Sequence, residues 1–128
     1  PVDYFLAKGY ILREDEGASA AKNWYKKAIE VFENIPESKR RNNINYELGK
    51  ASAEFNIYPN KGLKFLTDYN QNYNYKSIHT PDYSYYRMAQ IYANLGKKSE
   101  ALKHINKALT LRPNFNEALE EKERILGL

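Results

Sequence analysis

Apolar and small residues recur at helical intervals along this 128-residue chain. In the clearest set the successive intervals are four, three, nine, four and three residues, and its members are Tyr85, Ala89, Tyr92, Ala101, Ile105 and Ala108. Intervals of three and four place side chains on one face of an α-helix, and the interval of nine leaves room for a turn. The pattern therefore predicts two helices that fold back on each other as a hairpin.

The same intervals occur twice more in the chain. One set begins eighty residues earlier and consists of Phe5, Gly9, Leu12, Ala21, Tyr25 and Ala28. A middle set begins forty residues after the first, has one extra residue in its turn, and consists of Asn45, Gly49, Ser52, Gly62, Leu66 and Tyr69. Asn45 and Ser52 are weaker matches, because the other two sets have larger apolar side chains there. A period of this length is typical of helical repeat proteins, so three hairpins are predicted.

Small residues mark the place where the two helices of a hairpin would meet. Ala89 and Ala101 would let the two helix axes approach closely. Gly96 lies between the two helices and would supply the left-handed turn that ends the first of them. We therefore expect a close crossing within the hairpin.

Several helix boundaries are also visible in the sequence. Thr80-Pro81-Asp82 is typical of a helix start, with a capping hydroxyl, a proline in the first turn and an acid near the positive helix end. Pro59 predicts a second start, and Pro113 predicts a helix end. Asn114 with Glu117 resembles a helix cap. No run of alternating polar and apolar residues predicts a sheet.

Two segments fall outside the three hairpins. Residues 70–79 are rich in Asn and lack helical periodicity, so they are a loop or a continuation of the preceding helix; the sequence leaves both open. Residues 114–126 are rich in charge and predict a C-terminal capping helix whose outer face meets water.

Composition and charge narrow the function only slightly. The net charge is +4, and the 20 basic and 16 acidic residues are largely interspersed. The run Lys39-Arg40-Arg41 is the exception, and we expect it to be a solvated helix start rather than a phosphate-binding patch. The sequence contains no cysteine, no apolar run long enough to span a membrane and no visible signal peptide, and it leaves the compartment unknown.

The sequence offers little chemistry for catalysis. His79 and His104 are the only histidines, neither stands at metal-ligand spacing from other candidate ligands, and both are expected on the surface. The chain has no nucleophile motif and no phosphate-binding loop. We therefore expect no enzymatic activity, no metal and no cofactor.

These residues together resemble the tetratricopeptide repeat. The third copy is most similar, through Tyr85, Met88-Ala89, Tyr92, Gly96, Ala101, Ile105, Ala108 and Pro113. The resemblance implies an all-α domain of three antiparallel helix pairs, at approximately 2–35, 42–75 and 82–115, in a right-handed superhelix closed by the helix 114–126. It also implies a concave groove, lined by the first helix of each pair, that holds a peptide of a partner protein. The 40-residue period is longer than the family's usual one.

The resemblance also places particular side chains in this groove. The candidate binding residues are Tyr10, Arg13, Tyr46, Lys50, Tyr83, Tyr86, Arg87, Gln90 and Asn94. Further groove-facing positions are Asp3, Leu6, Glu14, Asn43, Ala53, Glu54 and Ala93. Tyr10, Tyr46, Tyr83 and Tyr86 lie outside the repeat-core positions, so they are predicted to be groove contacts or incidental surface residues.

The predicted function is that of a protein–protein interaction scaffold. The alternative is an appendage of a larger enzyme or secretion protein that serves assembly, and self-association stays open. The basic clamp with which one subfamily grips chaperone C-termini is not present, because only Arg87 agrees with it. Binding of single-stranded nucleic acid through Tyr, Lys and Arg is the least favoured alternative.

Overall fold

The computed structural model describes residues 1–128 and contains seven α-helices, one short 3₁₀ helix and no strand. The α-helices are α1 (Val2–Glu16), α2 (Ala18–Glu33), α3 (Asn42–Phe55), α4 (Pro59–Gln71), α5 (Pro81–Asn94), α6 (Lys98–Leu111) and α7 (Asn116–Leu126), and the 3₁₀ helix spans Glu37–Lys39. The predicted all-α class is confirmed. None of the helices combines the length and the apolar composition that crossing a membrane requires.

The helices form three hairpins that stack in chain order. The pairs α1–α2, α3–α4 and α5–α6 have the most extensive contacts, α3 also packs on α1 and α2, and α5 packs on α3 and α4. Helix α7 packs on α5 and α6, whereas the first hairpin does not touch α5, α6 or α7. The first helices of successive hairpins pack directly on each other, whereas α2 and α4 meet only through side chains: Lys61 Nζ lies 2.8 Å from Glu33 Oε1, and the ring centres of Phe32 and Phe65 are 5.9 Å apart. The first-helix side is therefore the more closely packed side of the stack. The right-handed curvature implied by the resemblance stays a prediction.

Small residues are buried where the helices of a hairpin cross, as predicted. Ala89 and Ala101 are both fully buried. In the middle hairpin a Cβ atom added at Gly62 would overlap the side chain of Ser52 and would lie 3.0 Å from Ile91 Cδ1. The axes of α3 and α4 are therefore closer than any side chain at position 62 would allow.

The turn after α5 has the predicted left-handed glycine. Gly96 has a φ of 73°, its amide donates to Ala93 O at 2.9 Å, and the Lys97 amide donates to Tyr92 O at 2.9 Å. These two bonds satisfy carbonyl groups that the helix end would otherwise leave without partners.

Two predicted caps are corrected by the structure. Helix α5 begins at Pro81, but the Thr80 hydroxyl donates to the Asp82 carboxylate and caps no backbone amide. Asn114 is not the cap of α7, because that helix begins at Asn116 and Phe115 occupies the cap position. Phe115 is buried in the core, and this burial fixes where the last helix can start.

The segment after α4 combines both alternatives that the sequence left open. Helix α4 continues two residues beyond Tyr69, and residues 72–80 then form a loop. The Tyr69 hydroxyl accepts from the His79 amide at 3.0 Å. Asn43 Oδ1 accepts from the Ile78 amide at 3.0 Å, and Asn43 Nδ2 donates to Lys76 O at 3.2 Å. Side chains of α3 and α4 therefore hold the loop against the stack.

The basic run at residues 39–41 has a structural role that the sequence did not predict. Arg40 Nε donates to Ile35 O at 2.8 Å, and its Nη2 donates to Glu33 O at 2.9 Å. Glu33 is the last residue of α2 and Ile35 lies two residues beyond it, so the guanidinium is held at the C-terminal end of the helix, where the helix dipole favours a cation. Arg40 therefore caps α2 and is not simply solvated.

Candidate functional site

The first helices of the three hairpins contribute side chains to one shared surface. We call it the first-helix face, and it is defined by Tyr10 and Arg13 of α1, Lys50 and Glu54 of α3, and Tyr86, Arg87, Gln90 and Asn94 of α5. Helix α3 touches both α1 and α5, so residues that are far apart in sequence become neighbours there.

Arg87 links α5 to α3 at the centre of this face. Its Nη1 lies 3.4 Å from Glu54 Oε1 and donates to Gln90 Oε1 at 3.0 Å. The Gln90 amide donates to the Tyr86 hydroxyl at 3.1 Å, and the Arg87 guanidinium lies 5.0 Å from the centre of the Tyr86 ring. Lys50 approaches the same Glu54 carboxylate at 4.0 Å. Predicted site residues of two hairpins therefore belong to one network.

Burial and charge set the ionisation of this network. Burial alone would lower the pKa of Arg87, but the hydrogen bond with Tyr46 and the Glu54 carboxylate outweigh that effect and raise it. Burial raises the pKa of Tyr46 and of Tyr86, although the Arg87 charge opposes the increase. At neutral pH the guanidinium is therefore charged and both phenols keep their protons.

Tyr46 does not lie on the surface, which corrects the sequence-based expectation. It is 1% exposed and belongs to a core cluster with Met88 and Ile91. Its ring stacks on His79 with the ring centres 4.1 Å apart, and Arg87 Nε lies 3.5 Å from its hydroxyl. Packing of α5 against α3 covers this position, which the periodicity of α3 alone left outside the core.

Tyr10 and Arg13 extend the face onto α1 through contacts with Phe55 of α3. The Tyr10 and Phe55 ring centres are 4.7 Å apart, and the Arg13 guanidinium lies 5.9 Å from the centre of the Phe55 ring. The Tyr10 hydroxyl is buried and has no hydrogen-bond partner. Burial, and then the Glu54 carboxylate, raise the pKa of this hydroxyl, so it stays protonated. Tyr10 is thus mainly a contact between the first two hairpins.

Asn94 and Tyr83 make contacts away from the centre of the face. Asn94 Nδ2 donates to Ala53 O at 3.2 Å, and its Oδ1 accepts from Arg124 Nη2 of α7 at 3.4 Å. The Tyr83 hydroxyl accepts from Arg112 Nη1 at 2.9 Å. Asn94 therefore connects α5 to α3 and α7, while Tyr83 connects the start of α5 to the end of α6.

Several of the further groove-facing positions that the resemblance implied are not accessible to a ligand. Leu6, Ala53 and Ala93 are buried, and the Asn43 side chain holds the loop. Leu6 belongs to the core cluster of the first hairpin and α3, Ala53 to the cluster that joins α3 and α4 to α5, and Ala93 to the cluster that joins α5 to α6 and α7. A side chain that packs on a neighbouring helix in this way cannot also face a ligand.

The two histidines are less exposed than the sequence suggested. His79 lies between the rings of Tyr46 and Tyr83, with ring centres 4.1 and 5.3 Å away, and its Nε2 is 3.8 Å from Glu47 Oε1. Burial lowers the pKa of His79, and Glu47 offsets this only in part. His104 is 8% exposed, and its Nδ1 lies 2.8 Å from a backbone oxygen one turn earlier. No local motif indicates the contacts of His79, because the fold brings its partners Tyr46 and Tyr83 together from α3 and α5.

The largest cavity lies elsewhere. Its volume is about 530 Å³, and its lining of polar residues comes from the 3₁₀ helix, the start of α3, α4 and the following loop. Asn42 Nδ2 donates to Tyr69 O at 2.9 Å, and Asn45 Nδ2 donates to Asn42 Oδ1 at 3.1 Å. These amides join the start of α3 to α4 and so have a structural role, and we do not assign the site to this cavity.

The first-helix face offers hydrogen-bonding groups rather than reactive ones. Lys50, Glu54 and Gln90 are partly exposed and can donate or accept at the surface. No three His, Asp or Glu side chains lie close enough together to share a metal ion. The arrangement is suited to recognition of another polar surface.

Comparison with known proteins gives one family match. The model of the tetratricopeptide repeat family matches residues 83–115, which include nearly all of α5 and the whole of α6. No curated protein matches the chain.

Proposed function

Because the chain contains a tetratricopeptide repeat at residues 83–115, we propose that it is a scaffold that binds a peptide segment or a partner subunit on the first-helix face. Protein binding is the typical role of this repeat. The more specific proposal, that the first-helix face is the binding surface, rests on the contacts that the side chains of this face make.

The contact between Glu54 and Arg87 is the observation that carries this proposal. It crosses from α3 to α5 at 3.4 Å and joins the polar side chains of two hairpins into one surface. Lys50 and Gln90 lie on either side of it with part of their polar groups exposed. An extended peptide carries a donor and an acceptor at every residue, so a strip of amide, ammonium and carboxylate groups can bind its backbone and polar side chains.

The partial burial of the network favours binding over simple solvation. Arg87 and Glu54 are held by neighbours on both helices, with 16% and 24% of their side chains exposed. Side chains fixed in this way lose less conformational entropy when a ligand binds. Tyr86 adds a partly exposed aromatic ring, and aromatic residues and Arg are enriched among the residues that dominate binding energy.

The proposal can be tested with a phage-displayed library of random peptides selected against the folded chain. Replacing both Lys50→Ala and Gln90→Ala should weaken selected peptides by about tenfold or more, equivalent to about 1.4 kcal/mol. The matched control is Lys26→Ala with Lys103→Ala, which removes two exposed amines from the second helices and should leave affinity unchanged. Circular dichroism would verify that both variants keep the thermal midpoint.

Two results would contradict this function. Peptides that bind the Lys50→Ala, Gln90→Ala variant as well as the unmodified chain would exclude the first-helix face. Retention on single-stranded DNA at low salt, with a steep loss as salt is added, would favour nucleic-acid binding instead.

A further inference from the structure

A smaller cavity, which we call the basic cavity, adjoins the largest one. Its volume is about 260 Å³, and it lies between the residues that lead into α3 and the loop after α4. Arg40, Arg41 and Lys76 contribute three cations to its lining, the other side chains are amides and a hydroxyl, and no carboxylate is present. Basic and acidic residues are interspersed over most of this chain, so a recess with three cations and no acid favours an anion.

The charge of the basic cavity is not neutralised by the surrounding protein. Arg41 and Lys76 are exposed and form no ion pair with any carboxylate of the chain. Arg40 Nη1 lies 3.9 Å from Glu37 Oε1, but 87% of the Glu37 side chain is exposed, and an ion pair of this kind contributes little. The cavity therefore keeps a positive charge that a bound anion would balance.

The fold positions these cations before any ligand binds. The Lys76 carbonyl accepts from Asn43 Nδ2 of α3 at 3.2 Å, and the Lys76 amide donates to Asn74 Oδ1 at 2.8 Å. Arg40 is held by the two bonds that cap α2. The sequence favoured solvation of the basic run because it does not show that a distant loop brings Lys76 beside it. Groups that are fixed in advance lose less conformational entropy on binding.

The largest cavity continues from the basic cavity and is uncharged overall. The two cavities share three lining residues, Arg40, Asn42 and Asn74. In the larger one, Arg40 and Lys64 are balanced by Glu37 and Asp68, and Lys64 Nζ lies 2.7 Å from Asp68 Oδ2. Its other lining residues are a serine and carboxamides, and it has no apolar side chain. A ligand that spans both cavities would therefore be an anion at one end and neutral at the other.

The carboxamides suit a ligand with several hydroxyl groups. A carboxamide can donate and accept hydrogen bonds, as a hydroxyl group can, so the two pair well. Asn45 and Asn72 use Nδ2 within the chain, on Asn42 Oδ1 at 3.1 Å and on Asp68 O at 2.8 Å, which leaves their side-chain oxygens to accept from a ligand. Gln71 is exposed and lines the same cavity. An apolar ligand would gain little here, because there is no apolar surface against which to bury it.

We propose that the two cavities form one binding site for a phosphorylated sugar. Its phosphate lies among Arg40, Arg41 and Lys76, and its hydroxyl groups contact the carboxamides of the larger cavity. A phosphate monoester carries a charge of about −2 at neutral pH and has three acceptor oxygens, so it matches three cations better than a carboxylate does. The larger cavity, with about 530 Å³, is within the usual range of small-molecule sites, about 300–1,000 Å³.

Two features argue against a nucleic acid as the occupant. The positive charge is confined to one recess beside a neutral cavity, whereas a phosphate backbone needs cations along its whole path. Neither lining includes an aromatic ring on which a base could stack. The site also shares no residue with the first-helix face, so it is independent of the proposed protein binding.

Nitrogen–proton correlation NMR of the whole chain tests this site, with the anomeric phosphate of glucose as the probe. We expect saturable shifts of the backbone amides at residues 41–43 and 74–77, and none at Lys50 or Gln90. Inorganic phosphate should shift the same amides with an affinity about tenfold or more lower, because it lacks the sugar hydroxyl groups. Glucose alone should give no saturable shift, because it lacks the charge.

Substitutions separate the cavity from the general charge of the chain. Arg41→Ala with Lys76→Ala removes two exposed, unpaired cations and should weaken binding of the sugar phosphate by about tenfold or more, with an unchanged thermal midpoint. The matched control, Lys39→Ala with Lys97→Ala, removes the same charge from exposed residues outside both linings and should change the affinity by less than about twofold. Gln71→Ala should weaken the sugar phosphate by about threefold and leave inorganic phosphate unchanged.

Several outcomes would overturn this assignment. Equal weakening by the two pairs would mean that the anion responds only to net charge. Inorganic phosphate that binds as tightly as the sugar phosphate would exclude the larger cavity, and the absence of any saturable shift would exclude the site. Sedimentation of the chain with vesicles of phosphatidic acid and phosphatidylcholine, lost in the Arg41→Ala, Lys76→Ala variant, would make a lipid headgroup the ligand instead.

Discussion

Tyrosine shows how one residue type serves two purposes in this chain. There are 12 tyrosines, and Tyr25, Tyr46 and Tyr69 are fully buried. Tyr25 and Tyr69 occupy predicted core positions, which the structure confirms. Tyr86 is partly exposed on the first-helix face, whereas Tyr75 is 92% exposed in the loop. The ring is used for packing and the hydroxyl for a few specific hydrogen bonds.

Truncation of Tyr46 should therefore destabilise the protein. We expect Tyr46→Ala to lower the free energy of unfolding by about 3–5 kcal/mol, since it removes a fully buried ring between α3 and α5. Tyr46→Phe keeps the ring and should cost only about 1 kcal/mol for the lost contact with Arg87. Urea denaturation would measure both values.

Tyr75→Ala is the matched control for this series. Its ring is exposed, so the expected change is within about 0.5 kcal/mol. If Tyr46→Ala were as mild as Tyr75→Ala, the placement of Tyr46 in the core would be wrong.

Each helix hairpin depends on how closely its two axes approach. Ala89 and Ala101 permit that approach in the third hairpin, and Gly62 permits it in the second. Glycine within a helix lowers stability, but at position 62 any side chain would collide with Ser52 on the facing helix. The close approach of α3 and α4, rather than helix propensity, explains why residue 62 is glycine.

Gly62→Ala tests this explanation. Alanine favours a helix by about 1 kcal/mol over glycine, so an isolated α4 would gain stability. In the folded chain the added Cβ would overlap Ser52 Cβ, which cannot move without its helix. We expect a net loss of about 1–3 kcal/mol in the free energy of unfolding, measured by denaturant titration.

Gly127→Ala provides the comparison, since its nearest atom would be 3.5 Å from the new Cβ and its φ is −81°. No loss of stability is expected there. An unchanged or raised stability for Gly62→Ala would mean that α3 and α4 are not in close contact.

The molecule as a whole is a linear stack in which contacts are made only between neighbours. The middle hairpin is covered on both sides, and α7 covers the last one. The first hairpin has a neighbour on one side only, and α1 leaves Tyr4 and Ile11 exposed. In such stacks, local stability is approximately the sum of each hairpin's own stability and the interfaces it makes.

Hydrogen exchange should reveal this gradient. We expect backbone amides of α1 to exchange faster than those of α3 and α5, although the three helices have similar lengths of 15, 14 and 14 residues. Mass spectrometry of peptic fragments would report the order. Equal protection of α1 and α3 would show that the stack opens as one unit.

The helices and their pairing could be read from the sequence because the information is local. Intervals of three and four residues, the prolines at 59, 81 and 113, and Gly96 act within one helix or one turn. The caps were harder: Asn114 had the right chemistry, but burial of Phe115 moved the start of α7. A favourable helix cap contributes about 1 kcal/mol, so the packing of a buried side chain can override it.

The candidate site could be predicted only in part. The first helices and most of their outward positions followed from the resemblance, and the network around Arg87 does include Lys50, which it reaches through Glu54, and Tyr86, which it reaches through Gln90. Whether these residues bind a partner stays a prediction.

Local periodicity in the amino-acid sequence was sufficient to specify an all-helical chain of hairpins with small residues at their crossings. Only the packing of α5 on α3 determined three other features. It buries Tyr46, places His79 between the rings of Tyr46 and Tyr83, and brings Arg87 to Glu54. The reason is distance along the chain: Tyr46 and Arg87 are 41 residues apart, and no helical period relates them.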